Sequence, residues 1–505
     1  MANVVKKHMM LAAIFAFCGV CALAQTEETA YLEPTEHPDG CYFLPAPPDT
    51  LCADFVDDMI QWQWGKTVRN TERGWQASRE SLWKPEIMRT VMAEVLELDT
   101  ISDETTPAIS KLLVTAYNTG NGSTRLVKAQ YGRTRPFVMM DEDTWGMWDD
   151  DYLRTNGSYP SGHTAFGWAT ALVFAEMWPE LQDTILRRGF QFGENRIITG
   201  AHWQSDVNAG FLCASASIAR AHTNPQLQKD IAEARAEYAA LKGLPANYDP
   251  ISAADVPHGE RILNNPVDTT SRRYVSDLNK YWVGMPMRFS DRGHQAAEEA
   301  EYSTAMMQKV FGEAMGVTLS EGETPAICAL IAEVLTKSSE TADRLKAIRF
   351  RKRPFVQLGD PSFVPGDEEK ERGKSSFPSG HTNLGWSEAL VLAEVAPECQ
   401  NEILRRGYEY GYNRLIVGYH WATDIEATRL LASALVARLH ADPAFRELIS
   451  AARTEYEQMT TGIRHETLNM SPSPSSERAY RLDGTLAPDS FHGIVIQEGQ
   501  KVIQK

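Results

Sequence analysis

The sequence predicts an all-α protein made of two tandem helical-bundle domains, and three observations carry that prediction. The chain repeats itself. Residues 106–238 return without a gap at a constant offset of 218 as residues 324–456. Further upstream, Arg73-Gly74 and Gln76-Ala77 return as Arg292-Gly293 and Gln295-Ala296 at an offset of 219. Helix formers dominate each copy, as in 231–238, a run of Ala, Glu, Arg and Ile closed by Tyr238. Residues 161–177 are apolar nearly all round, which marks a helix buried in the middle of a bundle, and β-signals are few. Each copy spans roughly 190 residues, a size that suits one domain.

Along the chain, residues 1–24 read as a secretory signal peptide. Lys6 and Lys7 supply the positive end, 9–24 is an apolar or small-residue run, and Ala22-Leu23-Ala24 is a cleavage site before Gln25. That run falls short of the ~20 apolar residues a span requires, and no later stretch is long and apolar enough. A periplasmic or secreted protein is expected, with no integral membrane segment in the mature chain. Residues 25–242 form the first domain. Residues 243–275, rich in Pro, Asn, Asp and Ser, read as a linker. The second domain is 276–460, and 461–505 reads as a loop-like tail with one short strand at 493–497. The proline-rich segment Phe43-Leu44-Pro45-Ala46-Pro47-Pro48 has no clear counterpart in the second copy.

Formal net charge is −17, and removing 1–24 takes away two lysines and no acid, leaving −19. Such an acidic body argues against nucleic acid as a partner, so any anion site must be a local basic pocket. Cys41 and Cys52 flank the proline-rich turn, and export would permit a bridge between them. Cys213 lies in an apolar run and reads as buried. No C-x-x-C occurs in the mature chain and no acidic cluster accompanies the motifs below, so neither a metal site nor a cofactor is expected.

Three motifs occur in each copy. The first is Lys128 with Arg135-Pro136, and again Lys346 with Arg353-Pro354. Seven residues are two helical turns, so the pair is expected on one helix face, near an end marked by the proline. The second is Pro160-Ser161-Gly162-His163, and again Pro378-Ser379-Gly380-His381, immediately before the apolar helix. Free N–H groups at a helix start attract phosphate, serine caps and donates, and glycine admits close approach. The third is Arg196, His202 and Asp206, and again Arg414, His420 and Asp424. Histidine and aspartate at i, i+4 are expected on one helical face, the carboxylate holding one ring nitrogen and leaving the other as nucleophile. Together these residues describe phosphoryl transfer through a phosphohistidine. Cations neutralise the phosphoryl oxygens, one histidine attacks phosphorus and the other serves as proton donor.

This order of motifs resembles the type 2 phosphatidic acid phosphatase superfamily, which includes the bacterial class A non-specific acid phosphatases and the vanadium haloperoxidases. The class A enzymes are the nearer likeness, through the proline-rich start, Thr71-Glu72-Arg73-Gly74 and His202-Trp203-Gln204-Ser205-Asp206. The resemblance covers most of 41–240 and about 276–457. It implies an exported, metal-independent acid phosphatase acting on small phosphate monoesters, with two complete sites. By motif position His202 and His420 would be nucleophiles, Asp206 and Asp424 their orienting carboxylates, and His163 and His381 general acids. Lys128, Arg135, Ser161, Gly162 and Arg196 would bind phosphate, as would Lys346, Arg353, Ser379, Gly380 and Arg414. Asn195 and Asn413 stand where the family often has serine. One domain per chain is common in the family, so the tandem copies suggest a covalent pseudo-dimer. A vanadium-dependent haloperoxidase, or one working domain beside a modulatory phosphate-binding one, are the alternatives.

Overall fold

The computed structural model describes residues 29–147, 150–245, 248–251, 255–469, 480–481, 493–497 and 500–504, with side chains described up to 461. The expected signal peptide, 1–24, lies outside the described residues. The chain divides into two compact units, 1–453 and 454–505. Among the described residues of the first, every regular element is helical. The second holds the end of a helix, Pro443–Asn469, and three antiparallel strands, Tyr480–Arg481, Gly493–Gln497 and Gln500–Gln504, in that order across the sheet. The helix thus continues past 461, and a strand occupies 493–497.

In the first copy α1 is Phe55–Val68, α2 is Pro107–Gly122, α3 is Arg125–Tyr131, α4 is Gly162–Met177, α5 is Gln182–Thr199 and α6 is Gln204–Ala221. Pro107 opens α2 at a position where its missing N–H costs nothing. Helix α4 is buried along its whole length, as its composition predicts, and α2, α5 and α6 surround it. Gly120 lets α2 approach closely, because a Cβ there would lie 2.6 Å from Ala169 Cβ and 2.7 Å from the Ala165 carbonyl oxygen. In the second copy α7 is Arg273–Gly284, α8 is Pro325–Ile348, α9 is Gly380–Val395, α10 is Gln400–Ile416 and α11 is Ala422–Ala441.

The site-bearing helices of the two copies pack on one another, α4 against α11 and α6 against α9. Leu345, Leu430, Leu431 and Ala434 therefore join the same apolar core as Phe166, Leu172 and Phe211. At this contact the rings of His222 and His440 stack with centroids 3.8 Å apart.

The proline-rich segment does have a counterpart. The short helix Gly40–Phe43 is matched by Gly259–Ile262, inside the stretch read as linker, and Pro38, Leu44, Pro47 and Asp49 recur as Pro257, Leu263, Pro266 and Asp268 at 219. Each segment reaches across to the other copy, 40–43 against α10 and 259–262 against α5. The Asp39 N–H donates to Asn401 Oδ1 at 2.8 Å, and reciprocally the His258 N–H donates to Asp183 Oδ1 at 3.0 Å. The one-residue change of offset hid this relation. Cys41 and Cys52 are both free thiols, so the bridge that export would permit between them is not formed.

Candidate active site

The first motif is built differently from the expectation of one continuous helix. Gly132, at φ +51°, ends α3 just past Lys128, and Arg135 caps the separate short helix that Pro136 begins. In the second copy Lys346 lies in the last turn of α8, and Arg353 likewise caps a new helix begun by Pro354. The two cations thus sit on separate elements, and in the first copy both donate to the Gly157 carbonyl, Lys128 Nζ at 3.0 Å and Arg135 Nη2 at 3.2 Å.

The second motif forms as predicted. Ser161 N-caps α4 and its oxygen accepts from Thr164 N at 3.3 Å and Thr164 Oγ1 at 2.9 Å, leaving its own proton for a ligand. Ser379 repeats this with Thr382. His163 Nε2 donates to the Ser81 carbonyl at 2.8 Å, and His381 Nε2 to that of Ala300 at 2.9 Å. A carbonyl only accepts, so Nε2 carries the proton of the neutral ring.

The third motif also departs from one helical face. His202 lies in the turn before α6, after Gly200 at φ +78° has ended α5. Trp203 has no capping oxygen, so Asp206 Oδ2 reaches back and accepts from Trp203 N at 2.8 Å. The same oxygen accepts from Ser158 Oγ at 2.5 Å and stands 3.5 Å from His202 Nδ1. Arg135 Nη1 donates to His202 Nε2 at 2.9 Å, which leaves the ring proton on Nδ1, facing Asp206 and Ser158. Arg353 Nη1 meets His420 Nε2 at 3.0 Å in the same way. There, however, Nδ1 donates to the Ser376 carbonyl at 2.5 Å, while Asp424 accepts from Ser376 Oγ at 2.6 Å and Trp421 N at 3.1 Å.

The electrostatics follow from burial. Lys128 is pushed down to about 7 by burial and by Arg135, Arg135 to about 10 by burial, and Arg196 to about 9 by burial, with Arg135 and Arg73 adding to the fall. Burial and Arg135 bring His202 down to about 3, which favours the neutral ring. Burial, Arg196 and His202 hold His163 well below the usual histidine range. Burial would raise Asp206, but the His202 hydrogen bond and the Arg133 charge overcome it and hold it low. In the second copy Arg414 falls to about 10 through burial, and its Nη2 donates to the Ala296 and Glu299 carbonyls at 2.8 and 3.1 Å. Burial, opposed by Arg351, pushes Asp424 up to about 6.

Among the predicted residues, Lys128, Arg135, His202 and Asp206 are joined in one cluster, and Arg353 and His420 in another, with Asp424 linked to it through Ser376, while Arg196 and Arg414 lie near enough to His163 and His381 to act on their charge. Several supporting residues were missed. Arg133 bridges Asp58 and Asp206 at 2.7 and 2.6 Å, and Arg351 bridges Asp277 and Asp424 at 2.6 Å each. Asn195 Nδ2 donates to Glu80 at 2.8 Å, and Asn413 Nδ2 to Glu299 at 2.5 Å. Trp83 lies edge-on to His163 at 4.7 Å, and Tyr302 takes its place beside His381 at 5.1 Å. The 218 and 219 offsets of Arg133, Ser158, Asp58 and Glu80 were the available signal.

Comparison with known proteins shows the family. The PAP2 superfamily matches residues 110–229 and again 324–446. A non-specific acid phosphatase of Providencia stuartii is 41% identical over 213 residues, which cover 42% of this chain and 86% of that protein. One of Salmonella typhimurium is 36% identical over 205 residues, 40% of this chain and 82% of its own. An acid phosphatase of Zymomonas mobilis is 36% identical over 175 residues, 35% and 66% respectively. Among the described residues no helix is long and apolar enough to cross a membrane.

Proposed function

Because the chain belongs to the PAP2 superfamily, among its non-specific acid phosphatases, we propose that it is an exported, metal-independent phosphatase that hydrolyses small phosphate monoesters at two sites through phosphohistidine intermediates. The observation that carries this reading is the neutral His202, its Nδ1 turned to Asp206 and its Nε2 turned to Arg135. A phosphate bound there lies among Lys128, Arg135, Arg196 and the Ser161 hydroxyl, with the N–H groups at the start of α4 adding to the grip. His202 Nε2 attacks phosphorus as the ester P–O bond breaks. His163 Nδ1–H passes its proton to the leaving alkoxide, so the alcohol departs neutral. Water then attacks phosphorus, gives its proton to His163 and breaks the P–N bond, releasing phosphate and neutral His202.

His163 must be charged for the first step, yet burial, with the Arg196 charge adding to it, holds it well below the usual histidine range in the free protein. A phosphate dianion bound beside it offsets the cationic part of that effect, so substrate binding shifts His163 toward its charged form. In this reading the copies form a covalent pseudo-dimer, supported by the reciprocal reach of 40–43 and 259–262 across the two halves, and residues 1–24 direct export.

The test is hydrolysis of an aryl phosphate near pH 5 with EDTA, by the wild type and by the His202→Ala/His420→Ala double variant. Activity in the wild type and its loss in the variant are expected. Activity that survives in the double variant would mean that other groups attack phosphorus.

A further inference from the structure

The two pockets differ at the arginine that meets the nucleophile. In the first, Arg135 spends its remaining donors on backbone, Nε on the Asn156 carbonyl at 2.8 Å and Nη2 on that of Gly157 at 3.2 Å. In the second, Arg353 Nη2 is held by a carboxylate, Glu371 Oε2, at 2.7 Å. The other oxygen of Glu371 accepts from Lys374 Nζ at 2.7 Å. Glu371 is close enough to Lys346, the other phosphate-gripping cation, for the two charges to perturb each other.

The corresponding residue of the first copy is Leu153, 218 positions earlier. Structure supports the equivalence. Both lie on short helices, Asp150–Thr155 and Glu368–Glu371. The next residue in each case, Arg154 or Arg372, lies over the ring of Phe137 or Phe355, themselves 218 apart. The exchange of leucine for glutamate thus puts an anion on the phosphate-binding arginine of one pocket only.

We propose that Glu371 competes with phosphate for Arg353, so that the second site binds the phosphate group more weakly than the first and takes it only by displacing this carboxylate. The inference rests on the phosphatase reading of both pockets. Arg353 cannot give Nη2 to Glu371 and to a phosphoryl oxygen in the same direction, and two anions beside one guanidinium repel. The Glu371 side chain is largely, not wholly, buried, and its short helix lies at the surface, which leaves it room to swing out when an anion arrives.

The experiment is calorimetric titration of inorganic phosphate into the full chain at pH 5, which needs no turnover. Wild type is expected to show a tight and a weak class of site, with Arg353→Ala removing the weak one. Glu371→Gln and Glu371→Leu should tighten the weak class by about ten- to a hundredfold, the worth of one charge-assisted hydrogen bond, and leave the tight class unchanged, while the melting temperature falls because buried Arg353 loses its carboxylate partner. The reciprocal Leu153→Glu should weaken the tight class. Unchanged constants in folded Glu371 variants, or in Leu153→Glu if those variants do not fold, would overturn the proposal while leaving the phosphatase reading standing. Failure of phosphate to bind any variant, wild type included, would overturn both.

Discussion

Asp206→Asn, made in a His420→Ala chain to silence the proposed second site, isolates what one buried carboxylate does for the proposed nucleophile. In the proposed reaction His202 attacks phosphorus and its ring becomes cationic; Asp206 Oδ2 stands 3.5 Å from Nδ1, with both side chains almost wholly buried. At an effective dielectric near 20, a full charge at that distance is worth about 5 kcal/mol, and the half charge of a loose transition state about 2 kcal/mol. The expected fall in kcat is therefore between about 30-fold and about 3000-fold. KM should change little, since Lys128, Arg135 and Arg196 are untouched. Stability should also suffer. The amide can keep Ser158 and Trp203 N only by turning its NH2 toward Arg133, which then faces a donor in place of a carboxylate. Breaking a buried pair this way costs about 3–5 kcal/mol, readable by denaturant titration. The assay is steady-state hydrolysis of an aryl phosphate, with circular dichroism showing that the variant is folded. A kcat within threefold of the parent would sink the argument. The mirror experiment, Asp424→Asn in a His202→Ala chain, should cost less activity, because the Ser376 carbonyl already holds His420 Nδ1 at 2.5 Å. A larger loss there would be equally damaging.

Three further outcomes are expected. Lys128 is a cation only below about 7, so phosphate affinity at the first site should be lost as pH rises through that value, and Lys128→Arg should extend binding to higher pH; inhibition by inorganic phosphate from pH 5 to 9 measures this. Burial, with His440 and Arg446 beside it, holds His222 well below its ordinary value, while Glu176 and Gln228 also face it. A histidine whose folded pKa is depressed makes the protein lose stability as pH falls below its unfolded value near 6.5, so His222→Gln should move the acid unfolding midpoint to lower pH. Gly120→Ala should cost about 1–3 kcal/mol by forcing α2 away from α4, seen as a lower midpoint in urea; an unchanged midpoint would mean the contact is looser than described.

The sequence made the bundle and the pockets legible for different reasons. An apolar run such as 161–177 can only be a buried helix, and its start had to be capped by Ser161. The histidines, aspartates and cations stood out because the same residue types recur at the same spacing in both copies. The local backbone between them was less readable. Helical spacing alone suggested that Lys128 and Arg135 share a face, while Gly132 and Pro136, present in the same stretch, break the chain between them. His202 was placed on a helix because the capping group of α6 is Asp206 itself, reaching backward, not a residue ahead of it. Asp58 and Asp277 escaped notice because their partners lie about 75 residues downstream, beyond any local pattern. Glu371 escaped because only a difference between copies, not a shared motif, marks it.

That difference has a consequence for how such a protein can change. When two identical subunits associate, a single gene supplies both, and every substitution appears on both sides of the axis at once. Here His222 and His440, or Leu153 and Glu371, are separate codons. One polypeptide can keep a conservative pocket while its neighbour drifts toward another affinity, and the two remain in fixed proportion because neither can be made without the other.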